Sequence, residues 1–424
     1  MRLALTALAL AARLHAQTPV DTALLRYVDS VRAIDVHAHP MRVVARGAPP
    51  DSEFDALPLD GIPAFAVPHR LTTDAPIWRE ARSALYGDAA PERARTEHGD
   101  RFPEWALDRA GIDVMLANRI AMGAGLAAPR FRWVPFVDAL LLPLDTRGEA
   151  ARTPDTRVLY PHETALLRRF LRELRLTALP ATLDAYERDV VRATLARQHD
   201  GGAVGVKFEA AYLRPLDFDT DDAARARAVY ARYVRGGVPS RAEYKTLQDH
   251  LFRVVAREAG RLGMTVQIHV LETFGGFYAS AGAAPRLLEP ALIDSTLRGT
   301  RFVIVHGGWP LVGETQGLLA KPNVYADVSM MDQILAPTAL AAVLRQWLAE
   351  WPDKVLFGTD AFDGGAEQGW EQVAWVGSTT ARRALAIALT GMLRDGEIDR
   401  PRAEALARMV LRENALKAYT LGKP

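Results

Sequence analysis

No cysteine occurs among the 424 residues. A disulfide scaffold, thiolate zinc fingers, iron–sulfur clusters and cysteine nucleophiles are thereby excluded. Any transition metal has to be held by His, Asp, Glu or a modified side chain. Lysine is scarce as well, with six lysines against 46 arginines. Excess charge is also missing, since 52 basic residues face 51 acidic ones for a formal net charge of +1. Nothing in that balance points to nucleic acid or an anionic membrane as partner. No segment approaches the roughly 18 consecutive apolar residues of a membrane span. Internal repeats and low-complexity tracts are absent too. What remains is 49% hydrophobic and 24% charged, the profile of a folded globular protein rather than a disordered or collagen-like chain. The length suits one large domain or two to three average ones.

The first sixteen residues have the pattern of a signal peptide. Met1-Arg2 is a basic start, Leu3–Ala12 an apolar core, and Leu14-His15-Ala16 ends in a small residue before Gln17. A buried N-terminal helix is the alternative, but Arg13 and Gln17-Thr18-Pro19 fit cleavage better. The expectation is an exported protein, periplasmic or secreted and soluble, with the mature chain running over 17–424 at a charge near −1.

Eight short runs rich in Val, Ile and Phe read as strands. They are Ala33–His39, Ile112–Ile120, Arg132–Leu141, Ala203–Tyr212, Thr265–Glu272, Arg301–Gly308, Asn323–Met330 and Val355–Phe362. Helical stretches such as Ala223–Val234, Leu247–Leu262, Ala339–Glu350 and Arg382–Leu393 lie between or after them. Alternation of this kind predicts parallel βαβ units, and eight of them predict an α/β fold of the (β/α)8 TIM-barrel type with C-terminal helices. Ala121–Phe131 hardly holds a crossover helix, which leaves a doubly wound open sheet as the alternative. No GxGxxG turn follows the first strand to support that alternative. The long insertion Pro40–Gly111 is expected to form either a wall or lid of the active-site mouth or mere surface decoration. The Arg-rich stretch Leu167–Leu176 reads as a solvated helix face.

His37 and His39 are two apart on the first strand, so both rings project from one face. A lone HxH is weak evidence. Here His269, His306 and Asp360 also fall near the ends of predicted strands five, six and eight. In a barrel those ends converge on one mouth, where a metal site is built. His69, His98, His162, His199 and His250 read as surface or structural histidines. Lys207 stands in the apolar run Val204–Phe208 of an arginine-rich chain. Burial favours a neutral amine that can take up carbon dioxide, giving a carbamate able to bridge two metals. The alternative is a lysine paired with Glu209, itself a candidate ligand or partner.

The set Asp35-Val36-His37-Ala38-His39-Pro40, His269, Val305-His306-Gly307-Gly308-Trp309 and Gly358-Thr359-Asp360 resembles the amidohydrolase superfamily. Leu411–Tyr419 is similar to the closing helix of its amidohydrolase-2 branch. The first strand begins soon after the expected cleavage point, leaving no room for the β-sandwich of other branches. The resemblance implies that His37, His39 and Asp360 hold a divalent metal. With one metal, His269 joins them and His306 is a catalytic group. With two, His269 and His306 bind the second ion and carbamylated Lys207 bridges both.

Imidazole and carboxylate ligands suit zinc, with manganese and iron as alternatives. Metal-activated water would cleave an amide, ester or lactone-type bond in a small molecule, with Asp360 moving the proton and His306 polarising the carbonyl. A nonoxidative decarboxylase of the same branch is the competing chemistry, hydratases and uronate isomerases occur among related barrels, and a metal-bearing binding protein is the non-catalytic reading. Export favours hydrolysis of a scavenged compound. Arg214 is expected to receive a substrate carboxylate, or else to form a surface salt bridge. Trp309, Phe274, Phe277 and Tyr278 are expected to line an apolar pocket, or else to pack in the core. Barrel enzymes of this type often pair as homodimers.

Overall fold

The computed structural model describes residues 20–45, 47–59, 61–62, 66–219, 221–271, 279–365 and 368–421. The expected signal segment, Phe274, Phe277 and Tyr278 lie outside the described residues. Each of the eight apolar runs overlaps a strand: β1 Ala33–Ala38, β2 Ile112–Asn118, β3 Phe131–Val134, which starts one residue before its run, β4 Gly205–Phe208, β5 Thr265–His269, β6 Phe302–Val305, β7 Val324–Asp327 and β8 Val355–Leu356. The strands are shorter than the runs. Three runs end in tight 3-10 turns instead, at Asp138–Leu141, Ala210–Tyr212 and His306–Gly308.

All pairings are parallel, with β1-β2-β3 forming one sheet and β4-β5-β6-β7-β8 the other. Backbone hydrogen bonds join the two sheets at both margins. Val204 N donates to Trp133 O at 2.9 Å and Lys207 N to Pro135 O at 2.8 Å, linking β3 to β4. Val36 N donates to Phe357 O at 3.0 Å and His39 N to Ala361 O at 2.6 Å, linking β8 to β1. The eight strands therefore run round in chain order as a (β/α)8 barrel. As the sequence suggests, β2 and β3 are joined by turns without a helix.

Two helices are longer than their apolar periodicity suggests. The one before β5 starts at Arg241 rather than Leu247, because Ser240 and Glu243 form a reciprocal capping box there. The one after β8 spans Trp370–Arg394 rather than Arg382–Leu393, and its first half is buried on nearly every side. A helix wrapped in protein loses the polar stripe that makes amphipathic periodicity readable.

Strand alternation sorts the core into two layers. Phe302 and Ile304 of β6 join the layer beneath the helices, whereas Val303 and Val305 join an inner one with Ile34, Val36, Val114, Leu116, Val134 and Leu356. Ala415, Ala418, Tyr419 and Leu421 belong to that inner layer. The closing segment seals the barrel floor: Thr265 Oγ1, at the start of β5, donates to Ala418 O, and Asn414 Nδ2 donates to Val355 O at 2.9 Å. The insertion after β1 contains helices Pro76–Tyr86 and Pro91–His98 and is tied down by buried polar contacts. Arg119, at the end of β2, pairs with Asp51 at 2.9 Å and both side chains are fully buried. Tyr86 Oη donates to buried Glu371 at 2.5 Å. No helix among the described residues is long and apolar enough to cross a membrane.

Candidate metal centre

Five of the expected site residues meet at the C-terminal mouth of the barrel. His37 lies in β1 and His39 just after it, His269 ends β5, His306 follows β6, and Asp360 follows β8. The β1–β2 register slips between Asp35 and Ala38, so an irregularity sits where the two histidines leave the strand. Their ring centroids are 5.2 Å apart. His306 and Asp360 have φ of 65° and 51°, a region that non-glycine residues rarely occupy. Buried contacts hold both in place. Asp360 N donates to His37 O at 2.8 Å, and His306 N donates to Asp327 Oδ1 at 3.0 Å. Gly307 and Gly308 follow with φ of 58° and 68°; a Cβ on Gly308 would come within 2.3 Å of Pro285.

Asp360 Oδ1 lies 3.1 Å from His37 Nε2 and 3.5 Å from His39 Nε2. On the other flank His306 Nε2 is 3.1 Å from His269 Nδ1, and His306 Nδ1 is 3.9 Å from Asp360 Oδ2. Lys207, fully buried in β4, places Nζ 3.1 Å from His37 Nε2. A surrounding set of polar groups orients these rings. Gln267 Oε1 lies 3.3 Å from His37 Nδ1 and accepts from Asn118 Nδ2, while Gln267 Nε2 donates to Val36 O and Tyr419 Oη. Ser329 Oγ lies 3.0 Å from His306 Nδ1 and donates to Asp327 at 2.5 Å. Asp35 accepts from Thr359 N and Oγ1 and so fastens β1 to the segment carrying Asp360.

Burial pushes His37, His269 and His306 well below the ordinary imidazole pKa, and nearby Lys207 acts in the same direction. The rings are therefore neutral, the form that donates a lone pair to a metal. Burial raises Asp35 to about 7 despite its hydrogen bonds, and Asp138 likewise. Glu163 and Glu209 are pushed well above the ordinary carboxylate range by burial and by neighbouring carboxylates.

The cavity over the site is lined by His37, His39, Lys207, His269, His306 and Asp360 on its floor, with Tyr212, Leu271, Met330 and Phe362 around them. Phe54, Asp55, Leu57, Pro58 and Leu59 close one side, so the insertion does form a wall of the mouth. Arg214 is not among the residues lining this cavity; it lines an adjacent one together with Tyr212, Leu213 and Pro215. Its guanidinium is buried, bonded to Asp249 at 2.8 Å and Gln248 at 3.0 Å, and stacked 4.3 Å from the Phe218 ring centroid. Trp309 stands one layer back, packed on the cluster of Leu271, Met330 and Ile334. Of the five remaining histidines, His250 is buried between Glu187 and Asp221, a structural role as expected. Gln267 and Asp327 were recoverable from sequence, because Gln267 precedes His269 by two on the same face of β5 and Asp327 ends β7. Asp55, in an irregular segment, carried no signal.

Ligand atoms of His37, His39 and Asp360 lie within 4.8 Å of one another, close enough for small rearrangements to gather them on one ion. His269 Nε2 is buried without a hydrogen-bond partner, as a ligand nitrogen awaiting an ion would be. The donor set of neutral imidazoles and carboxylate fits a divalent transition metal.

Comparison with known proteins agrees with this fold. A glucuronate isomerase from Caulobacter crescentus is similar at 14% identity with a TM-score of 0.61, over 97% of this chain and 98% of that one. A structure presented as a metal-dependent hydrolase, from Lactobacillus casei ATCC 334, is similar at 16% identity with a TM-score of 0.60, over 94% and 97%. The uronate isomerase of Thermotoga maritima follows at 13% identity and 0.54, over 94% and 96%. At these identities the likeness shows the fold. No curated protein matches the chain. The amidohydrolase profile Amidohydro_2 matches residues 34–421, from the first strand to the floor of the barrel, and the chain belongs to that family.

Proposed function

We propose that this protein is an exported, zinc-dependent hydrolase that cleaves an amide, ester or lactone-type bond in a small molecule. The observation that carries the reading is the convergence of His37, His39 and Asp360, with the His269–His306 pair on the same cavity floor. His37, His39, Asp360 and His269 would hold the metal, which when bound acidifies water and polarises a carbonyl. Asp360 lines the cavity and would accept the proton released when water adds, then pass it to the leaving group. His306, held by Ser329 and Asp327, places a ring nitrogen where it can stabilise charge developing on the substrate oxygen. Lys207, if carbamylated, would bridge to a second ion; as an amine it fixes His37 instead. The apolar side chains of Phe54, Leu57, Pro58 and Leu59 on that wall would shield the bound substrate from water. Trp309 supports that pocket from behind and affects substrate affinity through Leu271 and Met330.

The test is turnover of a panel of small amides, esters and lactones by the purified protein, with its metal content measured alongside. Asp360→Asn and His306→Asn should each lower kcat by about 100- to 10,000-fold on every substrate turned over. Hydrolysis that survives both substitutions refutes the proposal, and release of carbon dioxide from a carboxylated substrate in its place establishes the decarboxylase chemistry.

A further inference from the structure

On the far side of the His39 ring from His37 lies a second group of candidate ligands. One atom each from His39, Asp55 and Glu209 lies within 4.8 Å of the other two. His39 stands between two clusters: its Nε2 is 3.5 Å from Asp360 and its Nδ1 is 3.6 Å from Asp55 Oδ2. We propose that His39 Nδ1, Asp55 and Glu209 hold a divalent cation of their own, beside the one held by His37, His39 and Asp360.

The argument rests on buried atoms that lack partners. His39 Nδ1 and Glu209 Oε2 are both buried without a hydrogen bond, and the two residues are 5% and 4% exposed. Behind Glu209, its backbone N–H donates to Asp138 Oδ2 at 2.8 Å, while Asp138 Oδ1 and both oxygens of fully buried Glu163 have no partner. Acidic groups withdrawn from water in this way either keep a proton or meet a cation, and a cation that binds there displaces the proton. Lys207 lies nearby, but its Nζ is turned to His37. A divalent ion at the mouth of this wall would meet Asp55 and Glu209 directly and would displace the His39 Nδ1 proton to solvent as it binds. His39, as an imidazolate, would then be a ligand to both ions. Two carboxylates and one imidazole suit manganese or zinc. The position uses none of Lys207, His269 and His306, so it is distinct from a carbamate-bridged pair. It also needs Asp55, and therefore exists only when the insertion is seated against the mouth.

The inference rests on the metal reading of the first cluster. The experiment is titration of the metal-stripped protein with Mn2+, counting bound equivalents from the electron paramagnetic resonance signal of the free ion. Wild type should take up two equivalents. Asp55→Asn and Glu209→Gln should each take up one, Asp360→Asn should lose the other equivalent, and Lys207→Ala should keep two. Thermal unfolding of each variant is measured in parallel, and Asp55→Asn, at the rim, leaves the barrel strands untouched. A wild type that binds a single equivalent overturns the proposal. So does a second equivalent that is lost in Lys207→Ala but kept in Asp55→Asn and Glu209→Gln. A single equivalent whose affinity falls 10- to 100-fold in Asp55→Asn alone also overturns it, and makes Asp55 a positioning residue that accepts from His39 Nδ1. Failure of the metal reading itself looks different, because the wild type then binds no Mn2+.

Discussion

His250 shows how a buried side chain is read at the scale of one residue. Its Nδ1 is 2.6 Å from Asp221 and its Nε2 2.9 Å from Glu187, tying the helix before β5 to the segments on either side of β4. Burial opposes the charged ring, but the two carboxylates outweigh it and the pKa rises above its ordinary 6.5. A raised pKa means the native state holds the proton more tightly than the unfolded chain does. The stabilisation is complete below about pH 6.5 and fades as pH climbs through the native value. His250→Gln should therefore lower stability by about 2 kcal/mol near pH 5.5, from the loss of two charge-assisted hydrogen bonds, and by much less near pH 8.5. Urea unfolding at the two pH values measures the difference, and an equal loss at both contradicts the charge argument. His37, His269 and His306 differ from His250 in kind, since burial there drives the proton off. That contrast was half legible in the sequence. Position at a strand end singled out His37, His39, His269 and His306, whereas the partners of His250 lie 29 and 63 residues away and leave no local trace.

The insertion after β1 is the element that makes this barrel mouth its own. Its length marked it in the sequence as more than a crossover, and the strands on either side were legible from their apolar runs. Its seating was not legible, because that depends on single long-range polar pairs. Arg119 is fully buried, donates to Pro40 O at 2.6 Å and pairs with Asp51 at 2.9 Å. Asp51 also accepts from Arg42 N at 2.9 Å, which bends the chain back over the mouth just before Phe54 and Asp55. Removing one partner of a buried pair leaves the other charge without compensation. Asp51→Ala should lower the unfolding free energy by about 3–5 kcal/mol, or else free the insertion locally, which proteolysis near residue 50 would reveal. Wild-type stability together with wild-type proteolytic resistance would show that Arg119 alone seats the insertion. The partners of Arg214 were hidden for the same reason. Its place after β4 suggested a ligand-facing arginine, and only the packed helix Arg241–Arg261 reveals Asp249 and Gln248 as its partners.

Across the whole molecule, the floor and the mouth of the barrel are joined by one short chain of hydrogen bonds. Tyr419 accepts from Gln267 Nε2 at 2.7 Å, and the same amide presents Oε1 to His37 Nδ1 at 3.3 Å. Tyr419→Phe keeps the ring in the inner core and removes only the hydroxyl. Stability should fall by about 1 kcal/mol, with Mn2+ affinity reduced in step. Unchanged metal affinity in that variant would show that Asn118 and Val36 suffice to hold Gln267. The barrel itself was legible because eight strands repeat one simple pattern. Its sealed floor was legible only through resemblance, since Ala415, Ala418 and Tyr419 look like any other helix end. The link also makes the metal centre a gauge of the opposite end of the protein. Fraying of the closing segment releases Gln267, lets the His37 ring turn, and should register as faster metal exchange while the strands are still paired. Two lots of enzyme with the same circular dichroism spectrum could thus differ in how long they keep their metal, according to how firmly the last helix is docked.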